Sequence, residues 1–274
     1  MLIERTPMHL VLHSQPGGAI EARWRACLAA SDFPTHYTAP EFFLEPAFRD
    51  SKPFAVLSVA HDKVTGVLTG VSHGAHVRSG LSVRPQIAFL RDGDHAQAMT
   101  NLVSGLLVAA RSAKLVDLFV WSDMEALVAN RFRRRRYDGV VMLDLSQGPA
   151  ALLRSFSENK RTNIKKAIKY GVSVAPATSH DEISKYYAIY VDWSNRKGQP
   201  IVSEEQFQET FALTGNRLLL LARHETKMIA GIVIRFFPTA LWNMPPIARW
   251  NPLCACDRTT CCIGGQSSGD AGRA

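Results

Sequence analysis

FAVLSVAHDKVTGVLTG, residues 54–70, reads as two strands about a polar turn: apolar runs at 54–60 and 64–71 flank His61, Asp62 and Lys63, the pattern of a β-hairpin. A second run, RLLLLARHETKMIAGIVIR at residues 217–235, repeats the order of strand, turn with a His and an acid, Lys, and strand. A glycine stands three or four places into each second strand, Gly66 in one and Gly231 in the other. Such repetition within one chain hints at a duplicated unit.

Outward from the first hairpin, Met99, Leu102, Val103, Leu106 and Leu107 recur at helical spacing within 95–113. Residues 115–121 then predict a strand buried on both faces, 124–136 a helix and 140–145 another strand. In the second half, Leu152, Leu153, Phe156, Ile164, Ala167 and Ile168 form one stripe on a helix predicted over 148–170, with Gly171 as its stop. A short strand at 172–175 and helices at 181–196 and 203–213 lead into the second hairpin. Strand-length runs alternating with helical ones give an α/β fold.

A chain of 274 residues that is 46% hydrophobic and 20% charged can bury two cores of ordinary domain size, which excludes global disorder. No apolar run reaches the roughly 18 residues of a membrane helix, and the first 18 residues lack a signal-peptide core; a cytoplasmic protein without a transmembrane segment is expected. A nucleophile elbow, a P-loop and a His-Glu-x-x-His helix are all missing from the sequence, which argues against the chemistries those motifs serve.

The net charge of +8 suits an anionic partner. Residues 131–169 hold eleven Lys and Arg against three acids, an excess equal to that of the whole chain. Arg161, Lys165 and Lys169 recur every fourth residue, so on a helix they share one face. Such a face could hold donor phosphates or an RNA backbone, or be a solvated helix side and no more. Arg131 to Arg136 follow a predicted helix end, where cations complement the macrodipole. His180, before Asp181 and Glu182, reads as a helix start. Tyr186, Tyr187, Tyr190 and Trp193 read as core packing. Arg196 could touch substrate, while Gly198 and Pro200 after it could simply end a helix.

The ordered set SFSENKRTNIKKAIKYGV (155–172), DEISKYYAIYVDWSNRKGQP (181–200) and LLLLARHETKMIAGIVIRF (218–236) resembles the second half of FemAB/FemX-type acyltransferases. The resemblance spans about residues 54–237 and is strongest from Leu152 onward. It implies two tandem GNAT-like domains, mixed sheets flanked by helices, at 1–146 and 147–239, the second incomplete. It further implies transfer of an acyl or aminoacyl group to an amine. The co-substrate would be an acyl-CoA thioester or an aminoacyl-tRNA, with no tightly bound cofactor and no DNA partner. Direct attack by the amine needs placement, a proton acceptor and oxyanion donors more than a nucleophilic side chain. The candidate donor contacts are Lys160, Arg161, Lys165, Lys169 and Arg196; no catalytic base is assigned. The rival readings are a non-enzymatic RNA- or anion-binding module and an inactive pseudogene product.

Four of the five cysteines, Cys254, Cys256, Cys261 and Cys262, crowd a Gly/Ser-rich end. Their spacing is not the two to four residues usual between paired zinc ligands, and no metal is expected. A change of reading frame between codons 237 and 241 explains more. Read one base upstream, every Trp (TGG) and Cys (TGT or TGC) becomes a codon ending in TG, which encodes Leu, Val or Met. Trp242-Asn243-Met244-Pro245 becomes an aliphatic residue, Glu, Tyr or His, then Ala. With degenerate bases chosen freely, codons 241–268 can encode LEYAANSSLEPALRLRPNDLLYWWAIQ, which has a strand, a Pro-Asn-Asp turn able to cap a helix, and an apolar helix. Residues 240–274 are then expected to be out of frame and without an evolved fold, leaving a strand edge and a sheet face of the second unit uncovered.

Overall fold

The computed structural model describes residues 8–32, 34–48, 50–80, 84–137, 143–212 and 217–237. The expected tail at 240–274 and the first half of the strand expected at 140–145 lie outside these residues, and the described half, 143–145, is not a strand but leads into a helical turn at Leu145–Gln147. The described chain forms two compact units, one of residues 8–137 with Phe236 and Phe237, the other of residues 143–235.

In unit 1, β1 (Met8–Leu12), β2 (Lys52–Ala60) and β3 (Lys63–His73) form an antiparallel core. The outer edge of β3 pairs with β4 (His76–Ser79) and, further along, with β5 (Ile87–Phe89); β6 (Leu115–Leu118) pairs in parallel with β4. Helix α1 (Gly18–Ala29) covers one face, where Trp24, Cys27 and Leu28 meet Ala55, Leu57 and Val67. The indole of Trp24 keeps its hydrogen bond by donating to Thr38 O at 2.7 Å, as a buried Trp requires.

Helix α2 (His95–Ala109) covers the other face. It starts where the Asp94 carboxylate accepts the Gln97 N–H at 2.9 Å, and its Met99, Leu102 and Leu106 pack on Phe54, Val56 and Leu68. Gly105 permits that approach, since a Cβ there would lie 2.3 Å from Val56 Cγ1.

Two expectations for unit 1 need correction. Strand β6 is a four-residue edge strand with Leu115 exposed, not a strand buried on both faces. The helix expected at 124–136 closes after α3 (Glu125–Val128), because the arginines that follow offer no apolar face to bury. Arg135 turns back instead, donating to Glu125 Oε1 at 3.0 Å and Ala129 O at 3.1 Å.

Unit 2 holds α4 (Gly148–Ser155), α5 (Glu158–Lys169), β7 (Val172–Pro176), α6 (His180–Lys197), α7 (Glu204–Ala212), β8 (Arg217–His224) and β9 (Lys227–Arg235). Its sheet is antiparallel in the order β7-β8-β9. The single helix expected over 148–170 is two, broken by extended backbone at Phe156 and Ser157. Arg161 Nη1 donates to Arg154 O at 3.1 Å and to Phe156 O at 2.5 Å, taking up carbonyls the break sets free. Helices α6 and α7 pack Tyr186 and Phe207 on Leu219 and Leu221.

The two hairpins agree in detail. Each closes a two-residue loop, with Ala60 opposite Lys63 and His224 opposite Lys227. Each then carries one extra residue, Thr65 or Ile229, at a bulge in its second strand. The bulges set the equivalence: Gly66, opposite Ser58, matches Ala230, opposite Ala222. The two glycines paired by sequence are therefore one register step apart. Gly231 answers a separate demand, since a Cβ there would lie 2.6 Å from the Tyr186 ring, whose hydroxyl donates to Gly231 O at 3.0 Å.

Candidate functional site

Helix α5 carries the cations. Ile164 is its buried anchor, and the helix packs against β7. Lys160, Lys165 and Lys169 are exposed, with no ion pair or hydrogen bond among the described residues. Arg161, expected on their face, is half-buried and spends Nη1 on the α4–α5 junction. Ile168, expected in the buried stripe, is instead 49% exposed, and Tyr170 beside Lys169 is 66% exposed. The unpaired ammonium groups of Lys165 and Lys169, near the helix end that carries exposed Tyr170, can hold a polyanion with a flat, stackable group, and Lys160 adds a third cation one to two turns earlier on another side of the helix. Sequence reasoning missed Tyr170, although an aromatic residue between Lys169 and the Gly171 stop was the available signal.

Arg196 lies in the last turn of α6 and pairs with Asp192 at 2.9 Å, both side chains well exposed. No hydrogen bond or ion pair among the described residues joins it to α5. The helix ends at Gly198, in left-handed conformation at φ 61°, with the Gln199 N–H donating to Ser194 O at 2.9 Å. Beyond it, Tyr190 donates to Pro200 O at 3.2 Å and Tyr187 to Val202 O at 2.8 Å. The Arg-x-Gly-x-Pro step is thus a helix exit held by two tyrosine hydroxyls, and those tyrosines do more than fill the core.

At the other end of α6, the Ser179 hydroxyl accepts from the Glu182 N–H at 3.3 Å, and His180 opens the helix. The Glu182 carboxylate accepts the Thr178 N–H at 2.7 Å and the Thr178 hydroxyl at 3.1 Å, and it is bonded by Arg223 of β8. The Thr178 N–H first, then its hydroxyl and the Arg223 charge, hold this carboxyl below its usual range against the cost of burial. Its partners make it a clamp between α6 and β8. In unit 1, burial pushes the Cys27 thiol up to about 11, which leaves it an inert core group.

Among the described residues, no group of three His, Cys, Asp or Glu could hold a metal ion, and no helix is long and apolar enough to cross a membrane.

Residues 134–224 match the family model of the FemAB family; this segment runs from before α4 to the end of β8. No curated protein matches the chain. A crystal structure of FemX shares the fold with a TM-score of 0.55 at 14% sequence identity, over 74% of this chain. The match covers 56% of FemX, so the chain spans little more than half of that protein's length. The FemAB match overlaps the stretches quoted for the resemblance, and the mixed α/β architecture is FemX-like.

Proposed function

We propose that the protein transfers an aminoacyl group from an aminoacyl-tRNA to an amine acceptor, through two tandem GNAT-like units. The reading is carried by the FemAB match at 134–224, which falls on the segment bearing the unpaired lysines of α5. The tandem arrangement is supported by topology: β1, α1, β2 and β3 in one unit recur as β7, α6–α7, β8 and β9 in the other, with the same antiparallel pairing.

Lys160, Lys165 and Lys169 bind backbone phosphates of the donor, and Tyr170 offers a stacking face. An RNA donor suits an open convex helix face better than coenzyme A, which needs only a small phosphate-binding loop. Arg196, pairing with Asp192 only at the surface, is a second contact that can switch partner at little cost. In the transfer, the neutral amine attacks the ester carbonyl, the C–N bond forms and the C–O bond to the ribose breaks. The proton lost by the amine balances the one taken up by the released ribose hydroxyl. No covalent enzyme intermediate is required, in keeping with the absence of a nucleophile motif.

The test is transfer of a radiolabelled amino acid from charged tRNA to a lysine-containing peptide, with an acyl-CoA thioester as the parallel donor. Label in the peptide from tRNA, with KM for tRNA raised at least about tenfold by Lys160→Ala, Lys165→Ala and Lys169→Ala together, is the expected result. Salt-dependent RNA binding without turnover would replace the enzyme by a binding module. Turnover with the thioester alone would reassign the donor.

A further inference from the structure

The equivalence of the two hairpins allows their surroundings to be compared residue by residue among the described residues. In unit 1 the face under α2 presents Phe54, Val56 and Leu68, which are 2%, 0% and 0% exposed. Their matches through the bulges are Leu218, Leu220 and Ile232, with Ile234 beside them. All four are apolar and all remain partly open. The opposite face agrees: Ala55, Leu57 and Val67 under α1 match Leu219, Leu221 and Gly231 under α6 and α7. The outer edge of β3 is paired by β4 and β5, whereas β9 pairs only with β8 among the described residues. Among the described residues, unit 2 therefore shows an unpaired strand edge and a partly open apolar face at the two places where unit 1 carries its next strand and α2.

We infer that the β9 edge and the Leu218, Leu220, Ile232 and Ile234 face are the seat of a strand and a helix that codons 241–268 encode one base upstream. The occupant is argued from the codons. Trp242, Trp250, Cys254, Cys256, Cys261 and Cys262 all become Leu, Val or Met in that frame, and Cys262, following another Cys, must become Leu. Glu follows the aliphatic residue at both Trp242 and Trp250, because the next codon is Asn in each case. Six Trp and Cys positions thereby become aliphatic, the residue type that an open apolar face requires as its cover. The inference stands apart from the transfer chemistry and can fail without it.

The test adds one base to the gene between codons 237 and 241 and compares that protein with the present chain by hydrogen exchange. Amides of residues 229–235 should exchange at least about a hundredfold more slowly in the inserted-base protein, and binding of a hydrophobic dye should fall. Equal exchange in the two proteins overturns the inference. So does protection already present in the unaltered chain, whether from its own residues or from a dimer seen by ultracentrifugation. Ile232→Thr in the unaltered chain gives an independent reading. A Tm shift under about 3 °C is expected for an open face, and a larger loss overturns the inference.

Discussion

The two hairpins share loop length, bulge position and opening lysine, yet Val56 of the first is fully buried and its match Leu220 in the second is not. A strand's fate follows from what is laid against it as much as from its own residues. Unit 1 sandwiches its sheet between α1 and α2, so both faces read as core. Among the described residues, unit 2 has one such cluster, under α6 and α7. Its Leu-rich β8 has the apolar content of a two-sided core strand with one side filled.

Substitutions can break that contrast. The largest effect belongs to Trp24→Ala, which removes a fully buried ring and its hydrogen bond to Thr38 O; unfolding should lose about 3–5 kcal/mol. Comparing Val56→Ala with Leu220→Ala sharpens it. The first should cost about 2 kcal/mol by denaturant titration, and the second less, although it deletes more atoms. Equal or reversed costs would mean the two faces are equally covered. Gly231→Ala drives a methyl into the Tyr186 ring and should cost about 1–3 kcal/mol, with loss of the fixed tyrosine environment in near-ultraviolet dichroism.

Acid should act on unit 2 through Glu182. Its folded-state pKa lies below the unfolded value, so the folded state binds the proton less readily than the unfolded state. The stabilisation is complete above the ordinary glutamate range and is lost as pH falls through the folded pKa. Glu182→Gln should flatten the acid limb of the stability curve in this window. The smallest effect is at Cys27: with its thiol pushed up to about 11, alkylation of the native protein at pH 8 should be far slower than in denaturant.

Much of this was legible in the sequence where the signal was local. The hairpins, α2, α6 and the Gly171 stop follow from periodicity and turn chemistry, and the first two quoted family segments and the start of the third fall within the matched region. Strand β1 and helix α1 went unread, since α1 buries only Trp24, Cys27 and Leu28 and its polar surface hides the stripe. The break at Phe156 was invisible because the apolar spacing runs through it, and only Arg161 folding back onto the freed carbonyls reveals it. The open face was legible only by pairing the hairpins, and the bulge residues Thr65 and Ile229 that set the pairing leave no mark in the sequence.

The role of α5 as the seat of the donor's phosphates is tested most directly by the salt dependence of tRNA binding. Replacing Lys160, Lys165 and Lys169 together with alanine should weaken binding and shallow the slope of log K against log salt by about 2. A slope and affinity unchanged by the triple substitution would contradict it.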